Sequence, residues 1–306
     1  MTQINLDVIN GQYKVWNKGF NEYTSINISD IKKLFNDNVK KICELDVLSE
    51  RIGSESTSGY VYKINLNVGK YRIPFALKIL PIFSDEDVEN NKKEISIANI
   101  MSNKVLNKEC SNFPILFAYG TCNDYKYHLP MLQRRAEIYF LMKELLKSKN
   151  VSNEFKYELE NNYELYKKLY NDSYREELIN HFNITLNTPV NYMISELGIS
   201  DLRIFIENGY LNKDNVHDIL QQVNESLNCM YDQVIHGDLH TGNILLLNRE
   251  EMIFAIHDFG KSEFIEDSEI NEIFDIIEWM KEDLIKSNNY ICKEKRDLMN
   301  ILDSYL

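Results

Sequence analysis

A short polar loop late in the chain carries the residue types that proteins use to handle a hydroxyl group and a divalent cation. Residues 234–243 read Val-Ile-His-Gly-Asp-Leu-His-Thr-Gly-Asn, so two β-branched residues lead into a turn that holds Asp238 and Asn243. A carboxylate can orient a hydroxyl nucleophile and accept its proton. A nearby amide oxygen can bind magnesium, which prefers oxygen ligands. The two side chains are therefore candidates for one reaction centre.

A second carboxylate follows in the segment Asp258-Phe259-Gly260, where the glycine lets the backbone turn sharply. Together the two segments indicate phosphoryl transfer from a nucleotide, a reaction in which protein groups mainly position the reactants and stabilise charge. His236 is predicted to brace the loop by hydrogen bonding. His240 and His257 are not assigned to the metal, because oxygen ligands suit magnesium better than imidazole.

The composition is typical of a globular protein with an acidic surface. The chain has 306 residues, of which 44% are hydrophobic and 26% are charged, and its formal net charge is -13. This length suffices for one large or two small domains. Affinity for nucleic acid comes largely from cations that meet phosphates, so the acidic excess argues against a nucleic-acid partner. A basic partner surface would suit the charge, although solubility alone also accounts for it.

The sequence gives no sign of secretion, membrane insertion or a cysteine framework. Residues 1–20 lack an apolar stretch behind a basic start, and no apolar run approaches the length that crosses a bilayer. The five cysteines are odd in number, widely spread and without a Cys-x-x-Cys pair, which predicts reduced, buried thiols. We therefore expect a cytoplasmic protein, located in the host cytoplasm if the chain is viral.

The elements that must position these residues begin with strands and a flexible turn. A Gly/Ser-rich turn at residues 53–59 precedes a run of β-branched and aromatic residues at 60–66, and a further strand is predicted at 71–79. Lys78 lies near the end of this strand between apolar residues, where a charged side chain needs a partner. A helix predicted at 85–104 follows this strand and carries the acidic residues Glu89 and Glu94.

A long helical block separates these strands from the polar loop. In this block, Tyr163, Tyr166 and Tyr170 recur at helical intervals, which favours a packing face over a surface role. An amphipathic helix at residues 212–232 then leads the chain to the loop, and two further helices are predicted at 268–287 and 292–305.

In order along the chain, the glycine turn, strand lysine, helix glutamate, His-Gly-Asp loop and Asp-Phe-Gly segment resemble the protein-kinase-like superfamily. The resemblance covers residues 48–280. The His-Gly-Asp form is most similar to the branch that holds RIO kinases, the small kinase of the KEOPS complex, aminoglycoside and choline phosphotransferases, and divergent kinases of large DNA viruses. The absence of an Ala-Pro-Glu motif after Gly260 implies a shortened C-terminal lobe and no control by a long activation segment.

The resemblance implies an α+β, bilobal protein-kinase-like fold with four parts. Residues 1–45 would form an N-terminal helical extension, whose helix is predicted from about residue 30, and residues 46–131 the sheet and helix of the N-terminal lobe. Residues 132–188 would be a helical insertion. Residues 189–306 would supply the hinge between the lobes and the C-terminal lobe.

The resemblance also assigns roles to the candidate residues. Asp238 would be the catalytic aspartate, and Asn243 and Asp258 would hold Mg²⁺. Lys78 would contact the α- and β-phosphates of ATP as the ion-pair partner of Glu94, with Glu89 as the alternative partner. Further residues would bind the nucleotide or brace the loop. These are Gly53, Gly59 and Val61 at the glycine turn, Ser195 as gatekeeper, the backbones of Glu196 and Gly198 at the adenine edge, and Asp275 as the brace of the catalytic loop.

Three functions follow from this resemblance. The first is an ATP- and magnesium-dependent protein serine/threonine kinase that acts on a protein substrate, for which a basic protein would suit the acidic chain. The second is a small-molecule phosphotransferase of the aminoglycoside or choline kinase type, although only residues 260–306 remain here to form the acceptor pocket. The third is a catalytically silent scaffold, against which the complete set of catalytic residues argues.

Overall fold

The structure, a computed structural model, has an α+β architecture in which an antiparallel sheet with one long helix precedes a mostly helical second half. The predicted α+β fold class is confirmed. The residues that the structure describes are 4–7, 12–17, 22–37, 42–43, 50–52, 59–68, 71–127, 129–249, 251–265 and 272–306.

The N-terminal extension contains a sheet as well as a helix. Three antiparallel strands precede helix α1 (Ile28–Asp37), which buries Ile31 and Phe35. The prediction of a purely helical extension is therefore wrong. The sequence did carry a strand signal, since Ile4 and Leu6 alternate with polar residues at the period of two that strands require. The strands are β1 (Ile4–Asp7), β2 (Gln12–Asn17) and β3 (Glu22–Asn27).

A five-stranded antiparallel sheet in the order β4-β5-β6-β8-β7 forms the first lobe. Along β6, Ile73, Phe75, Leu77 and Ile79 are buried at alternate positions, so Lys78 faces the opposite side of the sheet. The strand sequence thus decides which face of the sheet receives the lysine. The strands are β4 (Glu50–Ile52), β5 (Tyr60–Val68), β6 (Tyr71–Leu80), β7 (Leu116–Cys122) and β8 (Val190–Ser195).

Helix α2 (Asp85–Leu106) connects this sheet to the second lobe. Its first turn is acidic, and Ser84 caps it by accepting a hydrogen bond from the backbone N–H of Asp87 at 3.1 Å. Ile97, Met101 and other apolar residues of α2 are fully buried, and the helix packs against the turn at Phe259–Lys261. Helix α2 therefore lies between the five-stranded sheet and the turn at Phe259–Lys261.

A helical insertion lies between β7 and β8, which are neighbours in the sheet. It has its own apolar core, formed mainly by leucines such as Leu141, Leu145 and Leu169. Tyr163 and Tyr170 are exposed, so the prediction that the tyrosines form its packing face is wrong for these two. The helices are α3 (Pro130–Lys147), α4 (Asn153–Asn161), α5 (Tyr163–Lys168) and α6 (Asp172–Phe182).

The second lobe places the polar loop between a buried helix and a hairpin. The inner face of the helix Val216–Met230 includes the fully buried residues Ile219 and Val223. Two pairs of antiparallel strands flank the loop, one pair starting just before it and the other just after it. Among the described residues, none of the helices combines the length and apolar character that crossing a bilayer requires. The elements are β9 (Ser200–Asp201), α7 (Leu202–Glu207), α8 (Val216–Met230), β10 (Val234–Ile235), β11 (Ile244–Asn248), β12 (Met252–Ile256), β13 (Glu263–Phe264), α9 (Ile273–Lys286) and α10 (Cys292–Asp303).

Four cysteines are paired in the structure, which corrects the prediction of reduced thiols. Cys43 is joined to Cys122 and Cys110 to Cys229, while Cys292 is free and exposed. The partners are separated by 79 and 119 residues, so only folding brings them together and no local spacing could predict them. The cytoplasmic location was inferred in part from reduced thiols, and it stays a prediction.

Candidate functional site

Lys78 lies at the centre of a three-residue charge cluster where the two lobes meet. Its Nζ donates to Oε1 of Glu94 at 2.6 Å and to Oδ1 of Asp258 at 2.7 Å. Glu94 is buried on α2, whereas Glu89 is exposed and pairs with Lys92 on the surface. The predicted ion pair of Lys78 with Glu94 is therefore present, and the alternative partner Glu89 is excluded.

Lys78 and Asp258 of this cluster stabilise each other's charged form. Burial opposes ionisation of Asp258, but Lys78 outweighs it and holds the pKa of that carboxyl well below its ordinary range. Burial likewise disfavours the charged form of Lys78, yet Glu94 and Asp258 together raise its pKa. Asp258 is consequently ionised at any physiological pH, as a ligand of a divalent cation must be.

The polar loop is held by a buried histidine. The imidazole Nε2–H of His236 donates to the carbonyl oxygen of His257 at 2.9 Å, and its Nδ1 accepts from the backbone N–H of Asp238 at 3.3 Å. Burial lowers the pKa of His236, so the ring is neutral and can make both bonds. His236 thus links the loop to the Asp-Phe-Gly segment, which agrees with the predicted bracing role.

Gly237 and Asp258 both have left-handed backbones. Gly237 has φ +75°, and a Cβ at this position would lie 2.6 Å from the carbonyl oxygen of Lys261. Only glycine fits there, because any side chain would clash with backbone. Asp258 has φ 64°, a conformation that is strained for a residue other than glycine and that often marks functional sites.

The brace of the polar loop is Glu272, and the prediction of Asp275 for this role is wrong. The carboxylate of Glu272 is buried and accepts from the backbone N–H groups of His236 at 3.0 Å and Gly237 at 2.8 Å. Asp275 is exposed one turn further along. Glu272 directly precedes α9, and its sequence context gave no reason to prefer it over the other carboxylates of this acidic stretch.

Asn243 is oriented by its own loop. Its Nδ2 donates to the carbonyl oxygen of Asp238 at 2.9 Å, so the amide oxygen is the atom that can bind a cation. One oxygen of Asp258 accepts from Lys78, which leaves the second carboxylate oxygen as the other candidate ligand. An amide oxygen and an ionised carboxylate oxygen are the donor types that suit magnesium. The residues present therefore fit the predicted Mg²⁺ site.

The glycine turn is described only at its end. Gly53 lies outside the described residues, whereas Gly59 directly precedes β5, the strand that pairs with the lysine strand. A Cβ on Gly59 would lie 2.8 Å from Cε of Lys78 and 3.0 Å from the carbonyl oxygen of Ile79. Val61 is half-buried and opposite Lys78 in the register of β5 and β6. Gly59, which follows the turn, therefore lies directly against the side chain of Lys78.

The segment after β8 is anchored by a buried ion pair that the sequence did not reveal. The carboxylate of Glu196 pairs with the guanidinium of Arg249 at 2.7 Å and accepts from the backbone N–H of Ile115 at 3.0 Å. The backbone N–H of Glu196 donates to the carbonyl oxygen of Ile115, so it is not available to a ligand. The carbonyl of Glu196 and the N–H of Gly198 are the groups left for the predicted adenine contact, and Ser195 ends the strand before them.

The fold and the site together define the kinase class of phosphotransferase folds. Its marks here are the sheet with one long helix and the cluster of lysine, glutamate and aspartate beside the polar loop. The family described as protein kinase domain matches residues 118–299, more than half of the chain, and the chain belongs to this family. The match includes Asp238, Asn243 and Asp258 but begins after Lys78 and Glu94, whose assignment rests on geometry. In the comparison with curated proteins, no protein matches the chain.

Proposed function

We propose that the protein is an active, ATP- and magnesium-dependent protein kinase that transfers the γ-phosphoryl group to serine or threonine hydroxyls. The observation that carries the proposal is the bridge of Lys78 between Glu94 and Asp258, next to a loop that presents Asp238 and Asn243. The membership of the protein kinase domain family supports a protein as the acceptor. We also propose that the chain belongs to the branch of that family in which the loop has the form His-Gly-Asp.

The nucleotide would occupy the cleft between the sheet and the polar loop. Lys78 would contact the α- and β-phosphates from its fixed position, and the missing side chain of Gly59 leaves room beside Cε of Lys78. Asn243 and Asp258 would hold Mg²⁺, which neutralises charge on the phosphates when it is bound. The pairing of Lys78 with two carboxylates keeps its long side chain in one place, and this reduces the entropy lost on binding.

Asp238 would then act on the acceptor. As the acceptor oxygen forms its bond to the γ-phosphorus, the bond from phosphorus to the β–γ bridging oxygen breaks, and ADP leaves with that electron pair. The hydroxyl proton passes to the carboxylate of Asp238. The loop that carries Asp238 is fixed by His236 and Glu272, so the carboxylate is positioned before the substrate arrives.

The test is phosphoryl transfer by purified protein with labelled ATP, magnesium and a generic basic protein. We expect labelling in the wild type and a loss of several orders of magnitude in Asp238→Asn, which keeps the size of the side chain. Asp124→Asn is the matched control, because Asp124 is an exposed residue in the turn after β7. No transfer by the wild type, either to itself or to the added protein, would refute the proposal.

A parallel set of reactions distinguishes the acceptor class. Aminoglycosides, sugars and amino alcohols are each added in place of the protein, and consumption of ATP is measured. Stimulation by a small molecule without any protein labelling would assign the chain to the small-molecule phosphotransferases. Binding of Mg-ATP without transfer to any acceptor would assign it to the silent scaffolds.

A further inference from the structure

An exposed lysine lies against the proposed catalytic carboxylate. Lys261 directly follows the Asp-Phe-Gly segment, and its Nζ lies 2.9 Å from Oδ1 of Asp238. The side chain of Lys261 is 68% exposed, so it can exchange partners without disturbing the core. An exposed pair of this kind contributes little to stability, which raises the question of what the lysine does in this place.

The fold fixes the backbone of Lys261 beside the loop. The missing side chain of Gly237 allows the carbonyl group of Lys261 to approach, since a Cβ there would lie 2.6 Å from that oxygen. The next residue, Ser262, is buried and donates from Oγ to the carbonyl oxygen of His236 at 2.9 Å. These two contacts join Lys261 and Ser262 to Gly237 and His236, the two residues just before Asp238. The packing of these two segments against each other therefore places the side chain of Lys261 next to Asp238.

The loop does not provide a cation of its own. Residues 239–242 are Leu, His, Thr and Gly. His240 accepts at Nδ1 from the backbone N–H of Gly242 at 3.0 Å, so this nitrogen carries no proton and the ring is not a cation. Lys78 is occupied by Glu94 and Asp258. The γ-phosphoryl group carries charge that must be stabilised during transfer, and among the described residues the exposed Lys261 is the cation that forms an ion pair with Asp238.

We propose that Lys261 is a catalytic residue that leaves the Asp238 carboxylate when ATP binds and donates to the γ-phosphoryl oxygens during transfer. This inference rests on the proposed function. The exchange frees Asp238 to receive the proton of the acceptor hydroxyl, as the oxygen–phosphorus bond forms and the bond to the bridging oxygen of ADP breaks. The ammonium group of Lys261 keeps its protons throughout and acts only through charge and hydrogen bonding.

The experiment compares Lys261→Ala and Lys261→Arg with the matched control Lys286→Ala. Lys286 is 62% exposed and pairs with Glu282 at 3.0 Å. Its replacement therefore removes an exposed ion pair of the same kind, but away from the cleft. Turnover and the affinities for Mg-ADP and for a non-hydrolysable Mg-ATP analogue are measured for each. We expect Lys261→Ala to lose about a hundredfold in kcat, the usual effect of removing one donor to developing charge.

The nucleotide affinities separate a phosphate contact from a merely structural role. Lys261→Ala should bind the ATP analogue about tenfold more weakly, because one charged hydrogen bond is lost. Its affinity for ADP should stay unchanged, since ADP lacks the γ-phosphoryl group. Lys261→Arg should recover part of kcat, and Lys286→Ala should match the wild type in every measurement.

Each contrary result has a distinct meaning. A rise in turnover of Lys261→Ala would show an inhibitory clamp on Asp238 and overturn the inference. Equal kcat and equal affinities in Lys261→Ala and Lys286→Ala would overturn it while leaving the proposed function intact. If the wild type binds both nucleotides without transfer, the proposed function fails. The affinities of Lys261→Ala for the ATP analogue and for ADP then still decide whether Lys261 contacts the γ-phosphoryl group. Failure of the wild type to bind nucleotide would overturn both.

Discussion

Replacement of Glu272 by glutamine tests the arrangement that holds the polar loop, which carries the proposed catalytic Asp238. The carboxylate of Glu272 accepts two hydrogen bonds from buried backbone donors, those of His236 and Gly237, at 3.0 Å and 2.8 Å. Glutamine has the same shape but only one acceptor oxygen, so one of the two donors would face an N–H₂ group. The loop would lose a hydrogen bond just before Asp238, where position matters most for transfer.

The size of the effect follows from the kind of bond that is lost. A hydrogen bond to a charged group contributes about 1.5–3 kcal/mol, so Glu272→Ala would lower the free energy of unfolding by about 3–6 kcal/mol. That loss is comparable with the whole stability of many domains, about 5–15 kcal/mol, and glutamine is therefore the better probe. For Glu272→Gln we expect a loss of about 1.5–3 kcal/mol. The accompanying displacement of the loop should lower kcat by about a hundredfold.

The assay pairs denaturant unfolding with kinase turnover, and Asp275→Asn is the matched control. Asp275 is exposed on α9 only three residues after Glu272, and a surface substitution of this kind is expected to change the free energy of unfolding by less than about 0.5 kcal/mol. The affinity for ATP should change little in either variant, because Lys78 and Asp258 do not contact Glu272. The reasoning is refuted if Asp275→Asn loses as much stability and turnover as Glu272→Gln, or if Glu272→Gln behaves as the wild type.

Three further predictions concern the hinge, the glycine turn and acid stability. Arg249→Ala should lower the free energy of unfolding by about 3–5 kcal/mol in denaturant titrations, because it leaves the carboxylate of Glu196 buried without its partner. Gly59→Ala should weaken ATP binding in calorimetry, since the new Cβ would lie 2.8 Å from Cε of Lys78; an unchanged affinity would show that the turn relaxes freely. Burial lowers the pKa of His257 to about 4 from the ordinary 6.5, so the unfolded chain binds more protons than the folded one between these values. The free energy of unfolding of metal-free protein should therefore fall by about 3 kcal/mol as the pH drops through this window, and a His257→Gln variant should show a flatter profile.

The candidate site could be predicted because its parts are short local patterns. The loop with Asp238 and Asn243 and the segment with Asp258 each bring their residue types together within a few positions. Lys78 was visible as a charge within an apolar strand, and the structure shows the predicted partner, Glu94, at 2.6 Å. Helix and strand periods likewise gave most elements of the two lobes, since apolar residues at a fixed period leave a clear mark on the sequence.

Other features depend on contacts between distant segments, and here sequence reasoning failed. The carboxylates of Glu272 and Asp275 have the same chemistry on neighbouring turns, and only packing decides that the first one meets the loop. The paired cysteines are 79 and 119 residues apart. The N-terminal strands were missed for a different reason, because the helix after them has the stronger pattern.

The sequence by itself therefore determined the candidate site and the chemistry proposed for it, through the identity and order of a lysine, a glutamate, two aspartates and an asparagine. The tertiary structure decided which groups lie next to these residues, namely Glu272 at the loop, Arg249 beside Glu196 and Lys261 beside Asp238. The physical reason is that a reactive side chain is recognised by its type, whereas a supporting one is defined by its neighbours. Those neighbours come from remote parts of the chain and meet only in the folded state.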